Sequence, residues 1–215
     1  MLATRAIDLS AVNQPLLLTV IEYVAICVCA ASGVLAARGK RIDLFGAIVL
    51  ALATAFGGGT VRDVLAGVPV AWLRTPDYLL SATATALAAF LIASRRELPR
   101  TALLLVDALA LALFTMSGTR KGLSLEFSSS VAVLLGVTTG VAGGTVRDIL
   151  TGEVPLVFQP EIRLYATAAL GGALTLVLLR SVGIPEPIPT FAGGAVTLGL
   201  RLAAIRWRIS LPVLD

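Results

Sequence analysis

One octapeptide occurs twice in this chain. Gly58-Gly59-Thr60-Val61-Arg62-Asp63-Val64-Leu65 returns 85 positions later as Gly143-Gly144-Thr145-Val146-Arg147-Asp148-Ile149-Leu150. The same offset sets Glu22 against Asp107 and Ser32-Gly33 against Ser117-Gly118. Further on the register slips slightly, and Ala82-Thr83-Ala84 matches Ala166-Thr167-Ala168. A repeat of this reach organises the whole fold, so every local reading has to be made in duplicate. Each copy also places glycines and an Arg-Asp pair in strongly apolar surroundings, a combination typical of transport across a membrane.

The setting is lipid. Of the 215 residues 57% are hydrophobic and only 14% charged, and the mean hydropathy is +0.94. A soluble domain of this length carries more charge. Seven apolar spans follow one another, at about 15–37, 43–66, 76–94, 101–119, 127–151, 160–180 and 188–205, each long enough to cross or nearly cross a bilayer. Three spans make one repeat (15–95), three make the second (101–180), and the span at 188–205 is left over. An odd number of crossings per repeat sends the second copy into the membrane from the opposite side. The expected architecture is therefore an all-α integral membrane protein of two inverted three-helix repeats plus one extra helix.

The net charge of +4 does not signal nucleic acid, because the basic residues lie between apolar spans rather than on one face. One side of the membrane receives Arg38, Lys40, Arg41, Arg95, Arg96, Arg100, Arg206 and Arg208; the other receives Arg5, Arg74, Arg120, Lys121 and Arg180. Arg163 and Arg201 add to the first group. The bias puts the N-terminus outside and the C-terminus in the cytoplasm. Arg5, Asp8 and the polar Asn13-Gln14-Pro15 stretch do not resemble a signal peptide. The chain has no histidine, which excludes His-based metal sites, His-activated nucleophiles and His proton relays. No nucleophile-base constellation is visible, so an enzyme is not expected. Cys27 and Cys29, two apart on one helix, point away from each other and read as packing residues.

Gly57-Gly58-Gly59 and Gly143-Gly144 interrupt the second and fifth spans. Adjacent glycines either let a helix kink or let two helices approach closely. Their recurrence at matching places favours a break, with backbone carbonyls freed at the midplane to meet a cation. On that reading Thr60 and Thr145 cap second half-helices, with Asp63 and Asp148 as capping-box partners. The dipole at such an N-terminus does not favour Arg62 or Arg147, which need another reason to be present. Pairing across the pseudo-axis, Arg62 with Asp148 and Arg147 with Asp63, would neutralise the set, as a gate or as a structural clamp. Glu22 and Asp107 either attract cations or sit hydrated at the interface. The hydroxyls of Ser32, Ser117, Thr115, Thr119, Thr138 and Thr139 either line a path or bond back to their own helices. Small-residue stripes, Ala195-Gly199-Ala203 and Ser81-Thr85-Ala89, read as helix packing. Arg201, Arg206 and Arg208 read as anchors at the membrane surface.

The doubled Gly-Gly-Thr-Val-Arg-Asp within two three-helix repeats, with one helix to spare, resembles bacterial members of the trimeric intracellular cation channel family over about residues 15–205. The same repeat is also catalogued as a glycine transporter domain. The resemblance implies a homotrimer in a bacterial inner membrane. Each protomer would hold its own potassium-permeable pore, pinched at kinks on Gly57, Gly58 and Gly59 and on Gly143 and Gly144. Ala142 stands where the first repeat has Gly57, so the kinks need not be equivalent. No cofactor is implied beyond a permeant potassium or sodium ion and bound lipid. The alternative is a secondary carrier for glycine or a similar zwitterion, with half-helix amino termini on the carboxylate and Asp63 or Asp148 on the ammonium.

Overall fold

The computed structural model describes residues 16–96, 99–159 and 164–207. Arg5, Asp8, Asn13-Gln14-Pro15, Arg163, Arg208 and the side chain of Arg100, all used in the sequence reading, lie outside the described residues. Every described element is helical: α1 (Leu16–Ala36), α2 (Leu44–Leu65), a short α3 (Ala71–Arg74), α4 (Pro76–Arg95), α5 (Arg100–Ser124), α6 (Ser129–Leu150), a 3-10 turn (Leu156–Phe158), α7 (Tyr165–Ser181) and α8 (Ile188–Trp207). Six of them are long and apolar enough to cross a membrane, and α7 is apolar but shorter, at 17 residues. The second and fifth spans of the sequence are thus α2 and α6.

Local chemistry repeats along with the sequence. Asp43 caps α2, its Oδ1 accepting the Gly46 N–H at 2.7 Å, and Ser128 stands 85 positions on at the head of α6. Both helices end in one motif: Gly67 and Gly152 take φ of 66° and 71°. There the Val68 N–H bonds to Asp63 O at 3.0 Å and the Glu153 N–H to Asp148 O at 2.9 Å. This is a Schellman stop, and the left-handed residue in it has to be glycine at little cost.

Packing follows the same pairing. α1 lies on α2 as α5 lies on α6; α1 touches α4 as α5 touches α7; α2 touches α4 as α6 touches α7. The pairs α1·α5 and α2·α6 are their own mates, as helices beside a pseudo-two-fold axis must be. α8 breaks the pattern by packing on α5 and α7 of the second repeat alone. The interior is built largely from alanine, including Ala30, Ala47, Ala51, Ala82, Ala86, Ala108, Ala132 and Ala168, all inaccessible to solvent. Leu80, Leu91, Leu134, Ile149 and Leu178 point outward, as lipid-facing residues do. The outer side of α8, with Ala195 and Gly199, is also exposed.

α2 and α6 correct the sequence reading. Both run as unbroken α-helix through Gly57-Gly58-Gly59 and Gly143-Gly144, with no unwound segment. The energetics explain the outcome. A glycine inside a helix costs about 1 kcal/mol against alanine, whereas a backbone group freed in apolar surroundings costs several times that. Here the glycines serve close approach.

Candidate functional site

The two repeats meet where α2 crosses α6. A Cβ built on Gly143 would stand 2.6 Å from the carbonyl oxygen of Thr54. Reciprocally, one built on Gly58 would run into the carbonyl oxygen of Thr139. Thr54 and Thr139 are themselves 85 apart, so the contact is its own mirror image. Only glycine allows it. The Ser-Gly pairs make the adjoining crossings: a Cβ on Gly33 would lie 2.7 Å from Ala51 Cα, and one on Gly118 would strike Thr139.

The arginines flank this crossing in a way the sequence reading missed. Arg62 Nε donates to Asp63 Oδ1 and Arg147 Nε donates to Asp148 Oδ1, each at 2.8 Å. Each arginine therefore pairs with its own neighbour and not across the axis. What crosses the axis is a hydroxyl contact. Arg62 Nη1 donates to Ser117 Oγ at 3.1 Å, and Arg147 Nη1 donates to Ser32 Oγ. The other oxygen of each aspartate holds the next turn: Asp63 Oδ2 accepts the Ala71 N–H that opens α3, and Asp148 Oδ2 accepts the Leu156 N–H that opens the 3-10 turn, both at 2.9 Å.

These contacts replace the expected capping boxes. Without a break there is no second half-helix to cap. Thr145 Oγ1 donates instead to Val141 O at 3.0 Å, and Thr60 Oγ1 accepts from Trp72 Nε1 at 3.0 Å. Continuity also accounts for the arginines. Arg62 and Arg147 fall in the last turns of α2 and α6, where the dipole favours a cation.

Past this point the half-sites differ. In the second, Asp107 is 3% exposed and its Oδ1 accepts from Arg147 Nη1 at 2.7 Å. Tyr165 closes over the pair, its hydroxyl and Asp107 Oδ1 both lying beside Gly144. Arg201 of α8 reaches in from outside the duplication. It is fully buried, with its guanidinium carbon 4.7 Å above the centre of the Tyr165 ring. Arg201 is therefore no surface anchor, and nothing in its sequence context marked it as one that would turn inward. In the first half-site Glu22 is half-buried and accepts from the Tyr78 hydroxyl at 2.7 Å.

Access differs too. A cavity of about 60 Å³ opens beside Arg62 and Asp63, lined also by Glu22, Trp72, Tyr78 and Ser117. At roughly 10–15 Å³ per water it holds a few waters. A wider vestibule of about 560 Å³ reaches Asp148 from the loop carrying Arg38 and Lys40. Its rim is tied by an ion pair between Lys40 and Glu153, one residue from each repeat. Because α2 runs from the first loop to Asp63, the two cavities approach the crossing from opposite ends. The hydroxyls between them are turned inward on their own helices: Thr54 donates to Leu50 O at 2.6 Å and Thr139 donates to Leu135 O. Thr115 and Thr119 are buried on α5, and Thr138 is half-buried on α6. Cys27 and Cys29 are both free thiols.

The comparisons with known proteins bear on the fold and the family. The profile of the family described as "Glycine transporter" matches residues 19–94 and again 104–181. The UPF0126 inner membrane protein YadS of Escherichia coli (strain K12) is 41% identical over 195 residues, covering 89% of this chain and 93% of that protein. A UPF0126 membrane protein of Vibrio cholerae is 38% identical over 210 residues, covering 97% and 87%. Among solved structures, the trimeric intracellular cation channel orthologue from Rhodobacter sphaeroides superposes with a TM-score of 0.84 at 33% identity, covering 91% of this chain and 100% of that one.

Proposed function

The chain is a multi-pass membrane protein of the family described as glycine transporter, and on that premise, with its likeness to a trimeric intracellular cation channel orthologue, we propose that it is itself a cation channel with a pore in each protomer. The observation that carries the reading is the pair of opposed cavities. Each has one aspartate of the doubled Arg-Asp in its lining, and the glycine crossing of α2 and α6 lies between those aspartates along the paired helices. The conformation described is closed at that crossing. On this reading opening requires α2 and α6 to slide or part, which the glycines at the crossing favour by presenting backbone to backbone.

The permeant ion is a monovalent cation, potassium foremost. Glu22 and Asp63 line one cavity and Asp148 the other, Asp107 stands behind them against Arg147, and Arg62 and Arg147 keep the path from trapping a cation by holding the aspartates. Asp107 Oδ2 and Arg147 Nη2 are buried and lack a hydrogen-bond partner among the described residues. Gly57, Gly58, Gly59, Gly143 and Gly144, with Thr60 and Thr145, form the constriction, and Ser32 and Ser117 couple each arginine to the opposite repeat. Three protomers assemble in a bacterial inner membrane, with the N-terminus outside and the C-terminus in the cytoplasm. The carrier alternative needs half-helix amino termini for a carboxylate; α2 and α6 offer none inside the membrane.

Potassium flux from proteoliposomes tests this. Flux should be driven by a potassium gradient and unaffected by glycine. Saturable exchange of labelled for unlabelled glycine, without electrogenic potassium flux, would establish the carrier instead.

A further inference from the structure

The two half-sites differ in whether a guanidinium lies over the tyrosine. In the second, Arg147 and Arg201 balance Asp107 and Asp148, and Arg201 supplies its share from α8, over the Tyr165 ring. Asp107 lies within electrostatic reach of Arg201. In the first, Arg62 lines the cavity with Glu22 and Asp63, and Arg120 of α5 lies within electrostatic reach of Glu22 without lining the cavity. α8 makes no packing contact with α1 or α4 among the described residues, so no guanidinium arrives there from outside the duplication. What the first repeat has in that place is the cavity of about 60 Å³.

We propose that this cavity is a binding site for a small organic monocation bearing a guanidinium or primary ammonium group. The protein shows the mode of binding in its own second half. There a guanidinium lies on a tyrosine from the first turn of α7, next to the acidic residue of α5. In the first half, Tyr78 from the first turn of α4 stands next to Glu22 of α1. The Tyr78 hydroxyl fixes one oxygen of Glu22 at 2.7 Å, leaving the other for a ligand N–H. The walls are aromatic and braced: Trp72 stacks on Phe56 at 5.2 Å, and Tyr23 meets Tyr78 edge-on at 4.9 Å. A planar cation gains from ring faces and from a carboxylate that a potassium ion, which prefers a shell of oxygens, cannot use as well. A bound cation here also stands at one mouth of the path, so it would block conduction from that side. That consequence rests on the channel reading; the binding does not.

The test uses purified protein in detergent. The chain has two tryptophans, so a Trp207→Phe background leaves Trp72 as the sole reporter. Methylguanidinium chloride, titrated at constant ionic strength against potassium chloride, is expected to change Trp72 fluorescence saturably. Glu22→Gln is expected to weaken binding at least tenfold, while Glu22→Asp, which keeps the charge, restores it to within a few-fold. The proposal is overturned by an unsaturable signal, by Glu22→Gln binding as well as the parent, or by potassium chloride producing the same curve. None of these readouts depends on conduction.

Discussion

Arg62 and Arg147 hold equivalent places in the sequence but sit in different surroundings, and substitution should separate them. Arg147 is fully buried and contacts Asp107, Asp148 and Ser32. Replacing it with methionine strands two carboxylates, and breaking a buried pair costs about 3–5 kcal/mol. Arg62→Met should cost less, because the adjoining cavity lets water reach Asp63. Denaturant unfolding in micelles would rank the two, and Asp107→Leu in the Arg147→Met background should recover part of the loss. Equal losses would remove the distinction between the half-sites. The sequence marked every one of these polar residues through the repeat. It did not reveal the partners, since neighbours on a helix point about 100° apart and pair only when a long guanidinium folds back along the surface. Tyr78, Tyr165 and Arg201 escaped notice because they lie outside the aligned positions.

At the scale of the helix, the glycines decide between breaking and approaching. Gly143→Ala puts a methyl group 2.6 Å from the Thr54 carbonyl. Such overpacking typically costs about 1–3 kcal/mol. At Gly57 the nearest atom to a new Cβ is Val146 Cγ2 at 3.5 Å, an ordinary contact, so Gly57→Ala should stabilise the helix by up to about 1 kcal/mol. Thermal melting of the two variants checks the contrast, and a kink-based role would instead make both equally damaging. A second prediction concerns the aspartates as anchors of the turns that follow. Asp63→Ala and Asp148→Ala each remove the acceptor of one turn's first N–H, worth about 1 kcal/mol to that turn on the scale of helix caps, besides unpairing a buried arginine. Hydrogen exchange should quicken at Ala71 in the first variant and at Leu156 in the second, each leaving the other turn protected. Helix positions were legible because the apolar spans are long and the loops between them short. Helix continuity was not, since Gly-Gly carries the same signal whether it loosens one helix or lets two touch.

For the molecule as a whole, the duplication and the odd span count led directly to paired repeats, and the contacts of α1·α2 with α5·α6 and of α1·α4 with α5·α7 are the physical form of that pairing. The asymmetry added by α8 had no signal, because a lone helix outside a repeat has no second copy to compare with. The orientation set by Arg38, Lys40, Arg41, Arg95 and Arg96 predicts that a reporter joined after α8 is active only in the cytoplasm. Activity of an external reporter there would reverse the topology. Conduction is the central claim, and planar-bilayer recording of the purified protein across an asymmetric potassium chloride gradient tests it most directly. Discrete openings reversing near the potassium equilibrium potential are expected. Silence across voltages, or reversal near the chloride potential, would contradict it.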